Sequence, residues 1–207
     1  MKPTFLGLYL AGAIVAWSAD RAGPAQPSAC PCCQQESTAG TGTDFSKTSI
    51  YQLDDRFTDD SGRPFSLGSL RGRPVVIDLF FASCGYACPL AVTDMVALQN
   101  RLPAALRTRA AFVLVSFDPT RDTPAALARY RAQRHLDANW TLLHADAGSV
   151  RELAALLGVK YQQAADGSFV HSNLLTVLNP AGEIVHQRVG LQGGLDELAA
   201  ALARHAP

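Results

Sequence analysis

Val75-Val76-Ile77-Asp78-Leu79-Phe80-Phe81 is a nearly continuous apolar run of β-branched, aliphatic and aromatic residues, and it constrains the chain more than any other segment. A strand with one wet face alternates apolar and polar side chains, whereas a run without alternation suits a strand covered on both faces. Ala111 to Phe117 repeats the pattern, and Trp140-Thr141-Leu142-Leu143 is a weaker third run. Leu174 to Leu178, the turn Asn179-Pro180-Ala181-Gly182, and Glu183 to Val189 read as a hairpin in which His186 alternates with Ile184 and Arg188 on an exposed strand face.

Helix signals fall between these strands. Pro89 suits an early position in a helix running to about Leu102, and Asp122-Thr123-Pro124 places a capping side chain ahead of Pro before the good helix formers Ala125 to Arg134. Ser149-Val150-Arg151-Glu152 reads as a capping box, with Leu153, Leu156 and Leu157 as an apolar stripe that Gly158 ends. Asp196 to Arg204 makes a terminal helix with its acidic end leading and its basic end trailing. This alternation predicts an α/β domain, a central mixed β-sheet flanked by helices and closed by a C-terminal hairpin and helix.

Composition narrows the function classes. Of 207 residues 48% are hydrophobic and 17% charged, with 18 basic against 18 acidic side chains. That balance excludes a disordered chain, a multi-span membrane protein and an electrostatic nucleic-acid binder, which needs a net positive surface.

The front of the chain is organised differently. Residues 1–19 carry one Lys and then an uncharged stretch from Pro3 to Ala19, with Ala16-Trp17-Ser18 as a small-x-small cleavage site; they read as a signal peptide or a retained membrane anchor. Residues 20–48, rich in Ala, Gly, Pro, Ser and Thr, read as a flexible linker. The linker holds Cys30, Cys32 and Cys33, three of the five cysteines. Clustered thiols there could bind a soft metal, form disulfides or be incidental, and Pro27-Ser28-Ala29 lacks the Leu of a lipid-attachment signal. The folded domain is expected over 49–207.

Cys84-Gly85-Tyr86-Ala87-Cys88-Pro89 lies just beyond the first buried strand, where open α/β sheets present their sites. A helix N-terminus stabilises thiolate, so a pair at this turn points to chemistry rather than to inert packing. The spacing admits both a redox dithiol and two metal ligands. Thioredoxin-type oxidoreductases usually set a cis-Pro opposite their cysteines, but this chain has no proline between Pro124 and Pro180, and His171-Ser172-Asn173 stands at the corresponding place. Among the other histidines, His144 ends a strand-like run and is the nearest rival; His135, His186 and His205 sit at a basic helix end, on the hairpin and in the tail. Cys84, Cys88 and His171 together suit copper, with thiolate favouring Cu(I) and imidazole tolerating Cu(II); zinc would accept the same three with a fourth ligand.

With these residues in hand, the chain resembles the Sco/SenC family of copper-binding thioredoxin-like proteins. The likeness runs through Cys84-x-x-x-Cys88-Pro89, Ser116-Phe117-Asp118-Pro119-Thr120-Arg121-Asp122-Thr123-Pro124 with Leu127 and Tyr130, Leu156-Leu157-Gly158-Val159-Lys160-Tyr161, Asp166-Gly167-Ser168-Phe169, His171-Ser172 and Asn179-Pro180-Ala181-Gly182. The resemblance implies a thioredoxin-like fold and an exported or membrane-tethered periplasmic protein. It implies one copper ion per domain, held by Cys84, Cys88 and His171 and delivered to the dinuclear copper site of cytochrome c oxidase or to another periplasmic cuproprotein, with other copper chaperones as further partners. Asp118 would tune the site from nearby, or serve as a turn residue ahead of Pro119. Gly85-Tyr86-Ala87 departs from the family in lacking the Pro and Asp commonly found between the cysteines. The alternative is an enzyme, a thiol-disulfide oxidoreductase in which Cys84 and Cys88 reduce a partner's cysteines before metal insertion.

Overall fold

The computed structural model describes residues 45–53, 57–165 and 167–206. The expected leader over 1–19 and the linker cysteines Cys30, Cys32 and Cys33 lie outside the described residues.

The apolar runs become the centre of a seven-stranded sheet. Strands β1 (Phe57–Asp59), β2 (Pro64–Phe65), β3 (Val75–Phe80), β4 (Ala111–Ser116), β5 (Trp140–His144), β8 (Leu174–Leu178) and β9 (Ile184–Val189) lie in the order β2-β1-β5-β4-β3-β8-β9. β3, β4 and β5 are parallel, with Val75 opposite Ala111 and Phe112 opposite Trp140. β8 joins β3 antiparallel, and β9 joins β8 antiparallel. Every residue of β3 and β4 is buried, as their unbroken apolar runs require. Two further strands, β6 (Tyr161–Gln163) and β7 (Phe169–His171), pair only with each other, in a separate two-stranded sheet.

Among the described residues, five α-helices, α1 (Ala87–Arg101), α2 (Ala104–Arg109), α3 (Pro124–Arg134), α4 (Ala147–Leu157) and α5 (Leu195–Arg204), supply the covering layers. The β3-α1-α2-β4 and β4-α3-β5 crossovers progress in one direction across the sheet, so right-handed connection sets α1 and α3 on the same face. There Trp140 Nε1 donates to Gln99 Oε1 of α1 at 2.9 Å, and Tyr130 of α3 packs on Phe80 with centroids 5.2 Å apart. α5 packs beside α1. The opposite face meets α4, where Gln187 Nε2 donates to the Leu157 carbonyl at 2.8 Å.

Thr123 caps α3 by accepting from the Ala126 N–H, with Pro124 in the first turn. The capping box expected at Ser149 is displaced: α4 begins at Ala147, and Asp146 accepts from the N–H groups of Gly148 and Ser149. The carboxylate is the stronger acceptor at a helix start, and the Ser149 hydroxyl donates to it as well, at 2.7 Å. Arg188 is a second correction. Expected on an exposed strand face with Ile184, it is buried: a register shift between Val177 and Leu178 takes Ile184 off that face, and Arg188 meets α1, where Asp94 accepts from its guanidinium at 2.7 Å. The short strands β1, β2, β6 and β7 carry too little periodicity to be read from sequence.

Among the described residues, no helix is long and apolar enough to cross a membrane.

Candidate metal centre

The chain leaves β3 at Phe80 and must turn before it can enter α1. The Cys84 N–H donates to the Phe81 carbonyl at 3.2 Å, closing that turn. Asp122 secures it from the side, its Oδ2 accepting from the Ala82 N–H at 2.8 Å and from the Ser116 hydroxyl at 2.6 Å. α1 then starts without an ordinary cap, since Tyr86 makes no side-chain capping bond. The Cys84 sulfur takes that place and accepts from the Cys88 N–H at 3.3 Å. An orphan donor at a helix start thereby meets a sulfur able to carry negative charge.

This geometry divides the two thiols. Burial opposes ionisation of Cys84, but the Cys88, Tyr86 and Ala87 N–H groups outweigh it and lower its pKa. Cys88, only 2% exposed, is pushed well above the ordinary thiol range by burial, with the adjacent Cys84 sulfur adding to the effect. The pair is unbridged. Cys84 is thus the half-exposed and more readily ionised thiol, and Cys88 the protected one.

His171 arrives from the other side. It ends β7, opposite Tyr161 of β6, and its ring rests against Phe81 and Phe117, with centroids 6.0 and 5.0 Å away. Its Nδ1 lies 3.2 Å from the Ser172 carbonyl, which can only accept, so that contact places the proton on Nδ1 and leaves the Nε2 lone pair free. Nε2 stands 3.8 Å from Cys88 Sγ. Burial lowers the His171 pKa, against a raising contact from Ser172, and keeps the ring neutral. A neutral imidazole with one fixed N–H is the form that ligates a metal.

The ligand atoms of Cys84, Cys88 and His171 all lie within 4.8 Å of one another, forming the one such group of three or more among the described residues. Three ligand atoms at about 2.0 to 2.3 Å from a single ion stand roughly 3.5 to 4 Å apart, so the trio has to draw together by about 1 Å at most to share an ion. Two soft sulfurs and one imidazole match the preferences of copper. The remaining histidines do not join them: His144 Nδ1 contacts the Asp122 carbonyl at 3.0 Å, His135 closes α3 in a left-handed conformation, His205 closes α5, and His186 pairs across from Val177.

Asp118, 2% exposed, is ion-paired to Arg121. Its carboxylate reaches the β6-β7 hairpin through that guanidinium, which donates to the Gly167 carbonyl at 2.6 Å. Arg121, Phe117, Tyr161 and Phe169 stand in the segments that carry the family likeness, but the sequence assigns none of them, nor Phe81, a part in the site; the Asp166-Gly167 turn signal between two short apolar-containing segments is the available hint of the hairpin.

A thioredoxin-like α/β domain whose cysteine pair faces an imidazole is the class that fold and site define. Residues 46–206 match the SCO1/SenC family model, and the chain belongs to that family. A protein of Stutzerimonas stutzeri described as copper-binding is 31% identical over 139 residues, 65% of this chain and 66% of that protein. The structure of an Arabidopsis thaliana Sco protein with copper bound superposes with a TM-score of 0.65 at 18% identity, covering 73% of this chain and 94% of the other. BsSco, a member of the Sco family of cytochrome c oxidase assembly proteins in which a disulfide switch was identified, also gives a TM-score of 0.65, at 22% identity over 73% of this chain and 90% of its own.

Proposed function

We propose that the protein is an exported, periplasmic copper metallochaperone that takes one copper ion between Cys84, Cys88 and His171 and delivers it to the dinuclear copper site of cytochrome c oxidase. The observation that carries this reading is the approach of three ligand atoms to within 4.8 Å, contributed by a turn, a helix and a separate hairpin. Copper is cargo here. Three ligands leave an open position on the ion, so an incoming thiolate can add before a resident ligand departs. Cys84, half-exposed and lowered in pKa, is the ligand exchanged most readily, while buried Cys88 and half-buried His171 hold the ion until the partner closes on it. The periplasmic location rests on the export-signal pattern of residues 1–19. The oxidase as recipient rests on family membership and on the family description attached to BsSco.

Titration of reduced protein with Cu(I) and Cu(II), followed by mixing with the apo copper-bearing domain of the oxidase, tests the reading. One equivalent should bind and then appear on the acceptor. Saturation at one equivalent that survives single substitution of Cys84, Cys88 and His171 overturns the site, and retention of copper by the loaded protein overturns the delivery.

The opposed pKa shifts of the cysteines favour a second reading, thiol-disulfide exchange with a partner. Cys84 thiolate would attack a partner disulfide and release one partner thiol; Cys88, losing its proton, would then displace the other as the Cys84-Cys88 disulfide forms. His171→Ala separates the two readings, since it should abolish the coloured Cu(II) complex while sparing dithiol exchange.

A further inference from the structure

We propose that Arg121 is the positioning residue for the His171 ligand, an inference that rests on the copper-carrier reading above. His171 belongs to the β6-β7 hairpin, whose strands of three residues each pair with no strand of the main sheet. A two-stranded ribbon of that size is marginal by itself, so its position must be imposed from outside.

Two things impose it. One is ring packing: Tyr161 stacks on Phe117 at 5.1 Å, and Phe169 meets Phe117 at 4.9 Å and Phe81 at 5.2 Å. Those same two rings flank His171. The other is Arg121, which lies between β4 and α3 and touches the hairpin twice. Its Nε pairs with Asp118, its Nη2 donates to the Gly167 carbonyl at 2.6 Å, and its guanidinium carbon lies 5.8 Å from the centre of the Phe169 ring. Asp118 is itself anchored, its N–H donating to the Ser116 hydroxyl at 3.0 Å. Arg121 thus forms a strut from the end of a central strand to the hairpin turn.

The strut touches neither cysteine, because the sulfurs are set by the β3-α1 turn and by Asp122. Loss of Arg121 should therefore free the imidazole and leave the thiols in place. Cu(I) is content with two thiolates, whereas Cu(II) relies on the imidazole, so the effect should depend on oxidation state. Lysine cannot substitute, because a point ammonium lacks the planar fork that serves carboxylate, carbonyl and ring together.

The test compares wild type, Arg121→Ala, Arg121→Lys and His171→Ala in Cu(I) and Cu(II) titrations, together with amide exchange of the metal-free proteins. Both Arg121 variants should lose about 10- to 100-fold in Cu(II) affinity and keep Cu(I) affinity within about threefold. The Ser172 N–H, which donates to the Lys160 carbonyl at 2.8 Å, should exchange faster while the β4 amides remain protected. Wild-type Cu(II) affinity in Arg121→Lys overturns the proposal, as does loss of β4 protection alongside that of Ser172, which would mark a general stability defect. Should Arg121→Ala fail to fold, Arg121→Lys, which keeps the charge facing Asp118, decides alone. A His171→Ala protein that binds both ions like wild type removes the carrier reading itself, a result distinct from failure of the strut.

Discussion

Cys88 Sγ and His171 Nε2 stand 3.8 Å apart although 83 positions separate them along the chain. The helix carrying the sulfur and the hairpin carrying the imidazole share no strand pairing, and both are tied to the segment between Ser116 and Asp122. From that segment Asp122 reaches back to the Ala82 N–H ahead of the cysteines, and Arg121 reaches forward to Gly167 ahead of the histidine. One loop therefore touches both the turn that carries the cysteines and the hairpin that carries the histidine.

The two thiols should differ in reactivity. Iodoacetamide at pH 7.5 should modify Cys84 at least about tenfold faster than Cys88, since one sulfur is half-exposed with a lowered pKa and the other buried with a raised one. Peptide mass spectrometry over a time course measures both rates. Equal rates would show that the helix-terminus donors do not stabilise the Cys84 thiolate.

Asp122→Ala should destabilise the domain by about 1 to 3 kcal/mol, because the Ala82 N–H and Ser116 hydroxyl lose their shared acceptor in a largely dry region. Asp122→Asn, which keeps one acceptor oxygen, should cost less. Urea unfolding measures the difference, and equal effects would argue that the carboxylate charge, rather than its hydrogen bonds, supports the turn.

Asp78 gives stability a pH dependence of definite sign. Burial raises its carboxyl from 3.8 to about 7, opposed by the Leu79 N–H and by Arg188. Between about pH 4 and 7 the unfolded chain gives up a proton that the folded protein keeps, so this group's contribution falls as pH rises and is lost above about 7. Asp78→Asn removes that dependence, and its stability relative to wild type should climb from pH 4.5 to pH 8. A constant offset across the range in chemical denaturation would contradict the assignment.

Asp94→Ala should cost about 3 to 5 kcal/mol, because it strands the buried Arg188 guanidinium and also removes the acceptor of the Gln192 N–H. Adding Arg188→Met to that background should recover part of the loss by removing the unpaired charge. If the double variant is as unstable as the sum of the single ones, Asp94 acts mainly through the Gln192 turn.

Much of this was legible in the residues. The unbroken apolar runs of β3 and β4 are what a doubly covered strand requires, and they fixed the α/β class, the main strands and the place of Cys84 and Cys88 at the strand-to-helix turn. Thr123-Pro124 and Gly158 likewise announced helix ends through local steric and hydrogen-bonding rules. Those signals come from the period of a strand or the cap of a helix, so a linear string carries them.

The tertiary structure decided what local rules leave open. It chose Asp146 over Ser149 as a cap, turned Arg188 inward toward Asp94, and delivered His171 on a hairpin too short to show a period. The cap is a contest between near neighbours, but the other two depend on partners distant in sequence: a carboxylate on another helix, a ring cluster and a guanidinium. Chain pattern specifies which residues can meet water and which cannot, but only packing sets the few ångströms between a sulfur and an imidazole.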